Sequence, residues 1–149
     1  MIPFQEAKLI VKKHIFLLGS ETVSLKNSGD RILAENIVAT FPSPQFDNSA
    51  MDGFAVRASD TIGATKAIPV SLKMVSVSAA GTPSDVVIGP GECAQCMTGA
   101  QIPMGADTII MVEDSSGFSD DYSVQIMIEA QPGKHIRRMG EEISEGEIL

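Results

Sequence analysis

The chain has 149 residues, 44% hydrophobic and 20% charged, with a formal net charge of −8. This composition excludes the low-hydrophobicity, high-charge class that stays disordered, and it gives enough length for one ordinary domain or two small ones. The acidic balance disfavours nucleic acid and anionic membrane surfaces, and no apolar run approaches the roughly 20 residues that cross a bilayer. The charged opening "MIPFQEAKLIVKKH" is not a secretory signal, so a cytoplasmic protein without nucleic-acid or membrane partners is expected.

Residues 3–18 read as a helix, with Pro3 suited to the first turn, Gly19 to the stop, and Ala7, Val11, His14, Ile15 and Leu18 on one face. His14 then belongs at an interface or core edge. A short strand is expected at 21–25, followed by the turn "NSGD" and an apolar stretch at 32–39 that reads as a helical turn running into a strand. The prolines of "FPSPQF" impose an extended crossing and mark the best boundary in the sequence.

Beyond that crossing the pattern is almost entirely β. "GFAVRA" is a short strand, and "IPVSLKMVSVSA" alternates through Val70, Leu72 and Met74 before shifting phase to Val75 and Val77, as a bulge requires. "DTIIMVED" reads as a buried strand and "YSVQIMIEA" as an alternating one through Val124, Ile126 and Ile128. Cys93 and Cys96 form a lone Cys-x-x-Cys, a spacing found in redox sites and in half of many zinc sites. In a strand over 92–98 an offset of three directs the two sulfurs to opposite faces, which prevents chelation and a disulfide alike, so two small hydrophobes are expected.

Three polar clusters carry the candidate chemistry. In "FDNSAMDGFAVRASD", Asn48 and Ser49 can bond the backbone of a turn while Asp52 projects beside Gly53, where another backbone or a ligand can come close; an Asx-type turn entering a strand is the plainer alternative. In "MTGAQIPMGADTIIMVED", Thr98-Gly99-Ala100 follows a strand and can form an anion-binding nest, or simply a β-turn. In "KHIRRMGEEISEGE", Lys134, Arg137 and Arg138 precede Glu141, Glu142 and Glu145. That is either a solvated loop of surface ion pairs or a site for a phosphorylated ligand and a magnesium ion. The ending "EEISEGEIL" stops without a cap or polar tail, and a longer protein is expected.

Taken in order, these three motifs, together with "GDRILAENIVA", resemble the N-terminal and linker region of the molybdopterin molybdenumtransferase family, which includes the MoeA proteins and the E domain of gephyrin. The resemblance implies an enzyme of molybdenum cofactor biosynthesis. Such enzymes insert molybdenum from molybdate into adenylated molybdopterin and release AMP, with Mg2+ assisting. It implies a mainly β, α+β fold: a discontinuous elongated domain of residues 1–40 plus 133–149, and an inserted β-rich domain of residues 41–132. The family's molybdopterin-binding α/β domain is absent from this chain, which alone should be inactive. A homodimer, the C-terminal domains of the full-length protein and a molybdopterin adenylyltransferase are the implied partners.

By position, Asp52, Thr98 and Glu142 match the family's catalytic residues, and Asp52 and Glu142 are implied as metal or water ligands. Arg137 and Arg138 match its basic pair; with Asn48, Ser49, Gly99 and the Thr98 hydroxyl they are expected to face phosphate or molybdate. Glu142 stands where the family usually has Asp, and Phe54 where Tyr is common. Two other functions fit fewer of these residues. A non-catalytic dimerisation or scaffold module of the same fold has no use for Asp52, Thr98 and the arginines, and a phosphate-ester hydrolase built on Asp52 leaves the Thr-Gly-Ala segment unexplained.

Overall fold

The computed structural model describes residues 2–16, 18–118 and 122–149. By contacts the chain divides into two units, Met1–Ile37 and Val38–Leu149.

The first unit holds one helix, α1 (Phe4–His14), preceded by Pro3 in an extended conformation. It ends four residues short of the expected Leu18, and Leu17 lies outside the described residues. Ile15 turns extended because β-branched and aromatic residues propagate a helix less well than the Lys-rich turn before them. His14 is exposed; its ring nitrogen Nδ1 lies 2.8 Å from the Ile10 carbonyl, one turn back on its own helix, rather than at a core edge. The strand expected at 21–25 does not form. In its place, a 3-10 turn occupies Leu25–Asn27, since an alternating pattern with no ladder partner leaves the backbone to local bonding. The stretch 32–39 is likewise irregular apart from Val38, whose bridge to Ile148 belongs to the second unit.

The second unit is built from β1 (Asn48–Ser49), β2 (Gly53–Val56), β3 (Val70–Ser78), β4 (Glu92–Cys96), β5 (Thr108–Met111), β6 (Ser123–Ile126) and β7 (Ile136–Arg137). Five of these form a mixed sheet in the order β5-β2-β4-β3-β6, in which only β3 and β4 run parallel. The expected phase shift in β3 is present, with register lost between Met74 and Ser76. On the outer edge of β6, Ser115 bridges Ile126 and Ser116 N–H donates to the Gln125 carbonyl. Because a single 3-10 turn, Val112–Asp114, links β5 to those serines, the sheet wraps back toward its own first strand, which covers an edge that would otherwise be open.

Alternation on the strands creates two packed faces. Phe54, Val56, Leu72, Cys93, Ile110, Val124 and Ile126 fill one; Ala55, Ile88, Ala94, Cys96, Ala100 and Ile109 fill the other. The two cysteines therefore lie on opposite faces of β4, as the offset of three requires, and both are free and buried. Burial, with Glu92 adding to it, pushes the Cys93 thiol up to about 12, and burial pushes Cys96 up to about 11. Neither is a thiolate at neutral pH, so native protein is expected to resist alkylation at pH 8 and to incorporate two labels only after denaturation. Intact-mass measurement decides this; rapid labelling of the native chain sinks it.

Gly53 opens β2 in tight contact with β5. A Cβ at that position would sit 1.9 Å from the Ile110 carbonyl oxygen. The neighbour that needs this glycine is thus the chain's own backbone. The loops beside β1 complete the frame: residues 38–43 pair with 143–148 through the bridges Val38 to Ile148 and Ser43 to Ile143.

Candidate functional site

The segment 47–52 runs between two other pieces of chain. On one side Ser49 N–H donates to the Ala100 carbonyl (3.0 Å), Gly99 N–H donates to the Ser49 carbonyl (2.8 Å), and Asn48 bridges Gln101. On the other side β1 pairs antiparallel with β7, Asn48 opposite Arg137 and Ser49 opposite Ile136, and Ala50 N–H donates to the His135 carbonyl at 2.9 Å. Asn48 and Ser49 are buried, and the Ser49 hydroxyl turns back onto the backbone of Met51. These small polar residues thus satisfy a turn whose neighbours leave no room for larger side chains.

That turn ends at Asp52, which is exposed. Its Oδ1 accepts both the Thr98 N–H (2.8 Å) and the Thr98 hydroxyl (2.7 Å), and its backbone carbonyl accepts Val112 N–H at 3.0 Å. The two donors of Thr98, N–H first and hydroxyl second, hold the Asp52 carboxyl below its ordinary value of 3.8. Asp52 is therefore an anion at neutral pH, suited to accept a proton or a cation and unsuited to general-acid work. Among the described residues no protein donor reaches Oδ2.

Of the two readings open for the Thr-Gly-Ala segment, its hydrogen bonds fit the turn rather than the anion nest. Thr98 N–H is taken by Asp52, Gly99 N–H by the Ser49 carbonyl, and Ala100 N–H by the Met97 carbonyl (2.9 Å). With each donor already satisfied, the segment is a closed turn that fixes Asp52, and the Thr98 hydroxyl proton points at a carboxylate rather than at an incoming anion.

The basic cluster is engaged too. Arg137 Nε donates to Asn48 Oδ1 (3.0 Å), and Arg138 Nη1 reaches Asp47 Oδ2 at 2.5 Å. Glu142 lies apart from Asp52 in this network: its Oε2 accepts the Ser43 hydroxyl at 3.1 Å and its N–H donates to the Ser43 carbonyl. Among the described residues no three His, Cys, Asp or Glu gather as a metal-binding group. Sequence reasoning passed over Asp47, whose carboxylate also accepts Met139 N–H at 2.9 Å. Its acidic charge in the same small-polar run, set against a later pair of arginines, was the available signal.

The acid response follows from two carboxylates. The Asp47 carboxyl is held below 3.8 by Met139 N–H first and by its hydrogen bond to Arg138 second, and Asp52 is depressed as described. Depressed folded values give stability that is complete above the unfolded value and lost as pH falls through the folded one. Resistance to thermal unfolding is thus expected to fall as pH drops below 3.8, with a shallower loss in Asp47→Asn. Equal pH slopes for the two proteins would refute this assignment.

A family model for the MoeA N-terminal region (domain I and II) matches residues 2–149. The chain is 42% identical over 142 residues to molybdopterin molybdenumtransferase 2 of Mycobacterium tuberculosis, covering 95% of this chain and 35% of that protein. It is 36% identical over 148 residues to the molybdopterin molybdenumtransferase of Staphylococcus aureus, covering 99% of this chain and 35% of that protein. The crystal structure of a molybdopterin biosynthesis MoeA protein from Pyrococcus horikoshii superposes with a TM-score of 0.88 at 32% identity, over 100% of this chain and 39% of that one. This chain therefore spans about a third of the length of the curated relatives it matches.

Proposed function

The chain belongs to the MoeA N-terminal region family, and on that premise we propose that it supplies one half of a composite site that inserts molybdate-derived molybdenum into adenylated molybdopterin with release of AMP. The observation that carries this is Asp52, exposed at the end of a hydrogen-bonded turn with one carboxylate oxygen fixed by both donors of Thr98. A catalytic carboxylate needs a fixed position and a known charge, and this one has both.

Its own charge sets the next requirement. Asp52 repels phosphate and molybdate, so the oxyanion substrates need a cation between them and the carboxylate. A magnesium ion usually keeps one or two carboxylates together with substrate phosphates and water, and the Oδ2 oxygen of Asp52 fits that sparse donor set. When bound, the ion would neutralise phosphate charge as AMP leaves. Arg137, half-buried and anchored through Nε by Asn48, is the cation of this chain best placed to meet an oxyanion. Glu142, whose carboxylate accepts the Ser43 hydroxyl beside the Ser43–Ile143 bridge, is assigned to the same site by its match to the family's acidic position. Asn48, Ser49 and Gly99 shape the turn rather than touch substrate.

The remaining components lie outside this chain: the C-terminal molybdopterin-binding domains, a second copy in a homodimer, a molybdopterin adenylyltransferase as supplier of the adenylated substrate, and a cytoplasmic setting. The pairing of residues 38–43 with 143–148 supports a discontinuous first domain from which the β-rich domain is inserted. No described helix is long and apolar enough to cross a membrane.

The test is molybdate-dependent AMP release from adenylated molybdopterin, by this chain alone and mixed with a C-terminal portion from a relative. Release only in the mixture is expected. Equal rates without the C-terminal portion overturn the composite site, and silence from folded protein in both arms favours a scaffold. Within the active mixture, Thr98→Ala is expected to lower kcat about tenfold and Thr98→Ser to restore most of it, since the serine hydroxyl can still donate to Asp52. Equal losses in the two variants would remove the hydroxyl from the mechanism.

A further inference from the structure

We infer that Asp47 is a positioning residue for the Asp52 site, a latch that sets the basic motif 136–139 against the turn 47–52, and that Arg138 serves this latch rather than binding an oxyanion. The inference rests on the functional reading above for what the latch serves, and on geometry for the latch itself.

Asp47 uses both carboxylate oxygens. Oδ2 takes the Arg138 guanidinium and Oδ1 takes the backbone N–H of Met139 (2.9 Å), while its own carbonyl accepts Ile102 N–H at 3.1 Å. Arg138 in turn donates its backbone N–H to Glu141 Oε2 at 2.7 Å, so the loop it belongs to is closed on itself. One residue on, Asn48 takes Arg137 Nε, giving two consecutive residues of one segment bound to two consecutive residues of another across 91 and 89 positions of sequence.

A lone exposed ion pair contributes little, and this pair has side chains 56% and 40% exposed. What distinguishes it is the backbone donor on the second oxygen, which ties the carboxylate to the path of the chain and not just to a mobile side chain. The same segment then passes through Ser49, bonded to Gly99 and Ala100, and Ala50, bonded to His135, to Asp52. A shift at Asp47 must displace that ladder or break it. The Asp47 carboxylate offsets the charge of the Arg138 guanidinium and occupies its Nη1 donor, which lowers its attraction for phosphate.

Asp47→Ala and the charge swap Asp47→Arg with Arg138→Asp test the latch in the 149-residue chain. Amide hydrogen exchange is expected to speed up about tenfold at Met139, Ala50 and Thr98 in Asp47→Ala, with partial return at Ala50 and Thr98 in the swap. Protection at Ala94, buried in the sheet core, reports that the fold survives. Faster exchange at Met139 with Thr98 unchanged overturns positioning. In the active mixture, Asp47→Ala is expected to lower kcat of AMP release with KM for adenylated molybdopterin little changed, and the swap to recover part of it. A raised KM with unchanged kcat, or an Arg138→Ala variant that loses binding while Asp47→Ala does not, gives Arg138 back to the oxyanion. Absence of AMP release from the unaltered mixture would count against the functional reading alone, because the exchange result judges the latch without it.

Discussion

Replacing Asp52 with alanine is expected to lower molybdate-dependent AMP release by the reassembled enzyme about 100-fold or more, with little loss of fold stability. The carboxylate is exposed, so its removal leaves no cavity, and Thr98 recovers water as an acceptor for both freed donors. Asp52→Asn separates charge from shape. Its amide oxygen can still accept from Thr98, whereas the neutral group neither takes a proton nor attracts a cation. If asparagine is as damaging as alanine, the negative charge is the functional property. If asparagine is nearly as active as the parent, Asp52 acts by shaping the turn, and the proposed role of its free oxygen is wrong. Magnesium titration of the two variants sharpens the result: Asp52→Asn should require more metal for half-maximal rate than the parent, since one anionic oxygen is gone.

The second large effect concerns folding. Gly53→Ala is expected to destabilise the chain by about 3 kcal/mol or more, a large share of the roughly 5–15 kcal/mol that keeps an ordinary domain folded. Its Cβ would enter the Ile110 carbonyl at 1.9 Å, with the carbonyl carbon at 2.9 Å and Met111 Cα at 3.0 Å. All three neighbours are backbone atoms of the strand paired to Gly53, so relief demands separating β2 from β5 along a register that runs Gly53 to Met111 and Val56 to Thr108. No rotamer change can absorb that. Gly63→Ala is the comparison: there φ is +77° but no atom lies within 4 Å, so only the left-handed strain of about 1 kcal/mol applies. Thermal melts of the two variants decide it. Similar melting temperatures would show that the strand pair yields where the geometry says it cannot.

Much of the β-rich unit was legible in advance because its signals are local. Alternation at Val124 and Ile126 and the phase shift after Met74 each depend on residues a few positions apart, and the strands appear where those patterns lie. The opposite facing of Cys93 and Cys96 required only the two-residue period of a strand. The same reasoning failed at 21–25, where alternation was present but, among the described residues, no second strand bonds it. Periodicity states what a segment can do and not what it meets.

The candidate site divides along the same line. Sequence by itself determined the family, the mainly β character, the acidic and hydroxyl residue types at Asp52 and Thr98, and the presence of a basic pair. Tertiary structure decided what those groups are bonded to. Asp52 and Thr98 are 46 positions apart, and Asp47 and Arg138 are 91. Only folding turned a prospective nest into a closed turn and converted an apparently free arginine into half of a latch. The physical reason is that a hydrogen-bond donor does not carry the identity of its acceptor in its local sequence. Residue type fixes what a group can donate or accept, and the long-range course of the chain fixes which group is there to receive it.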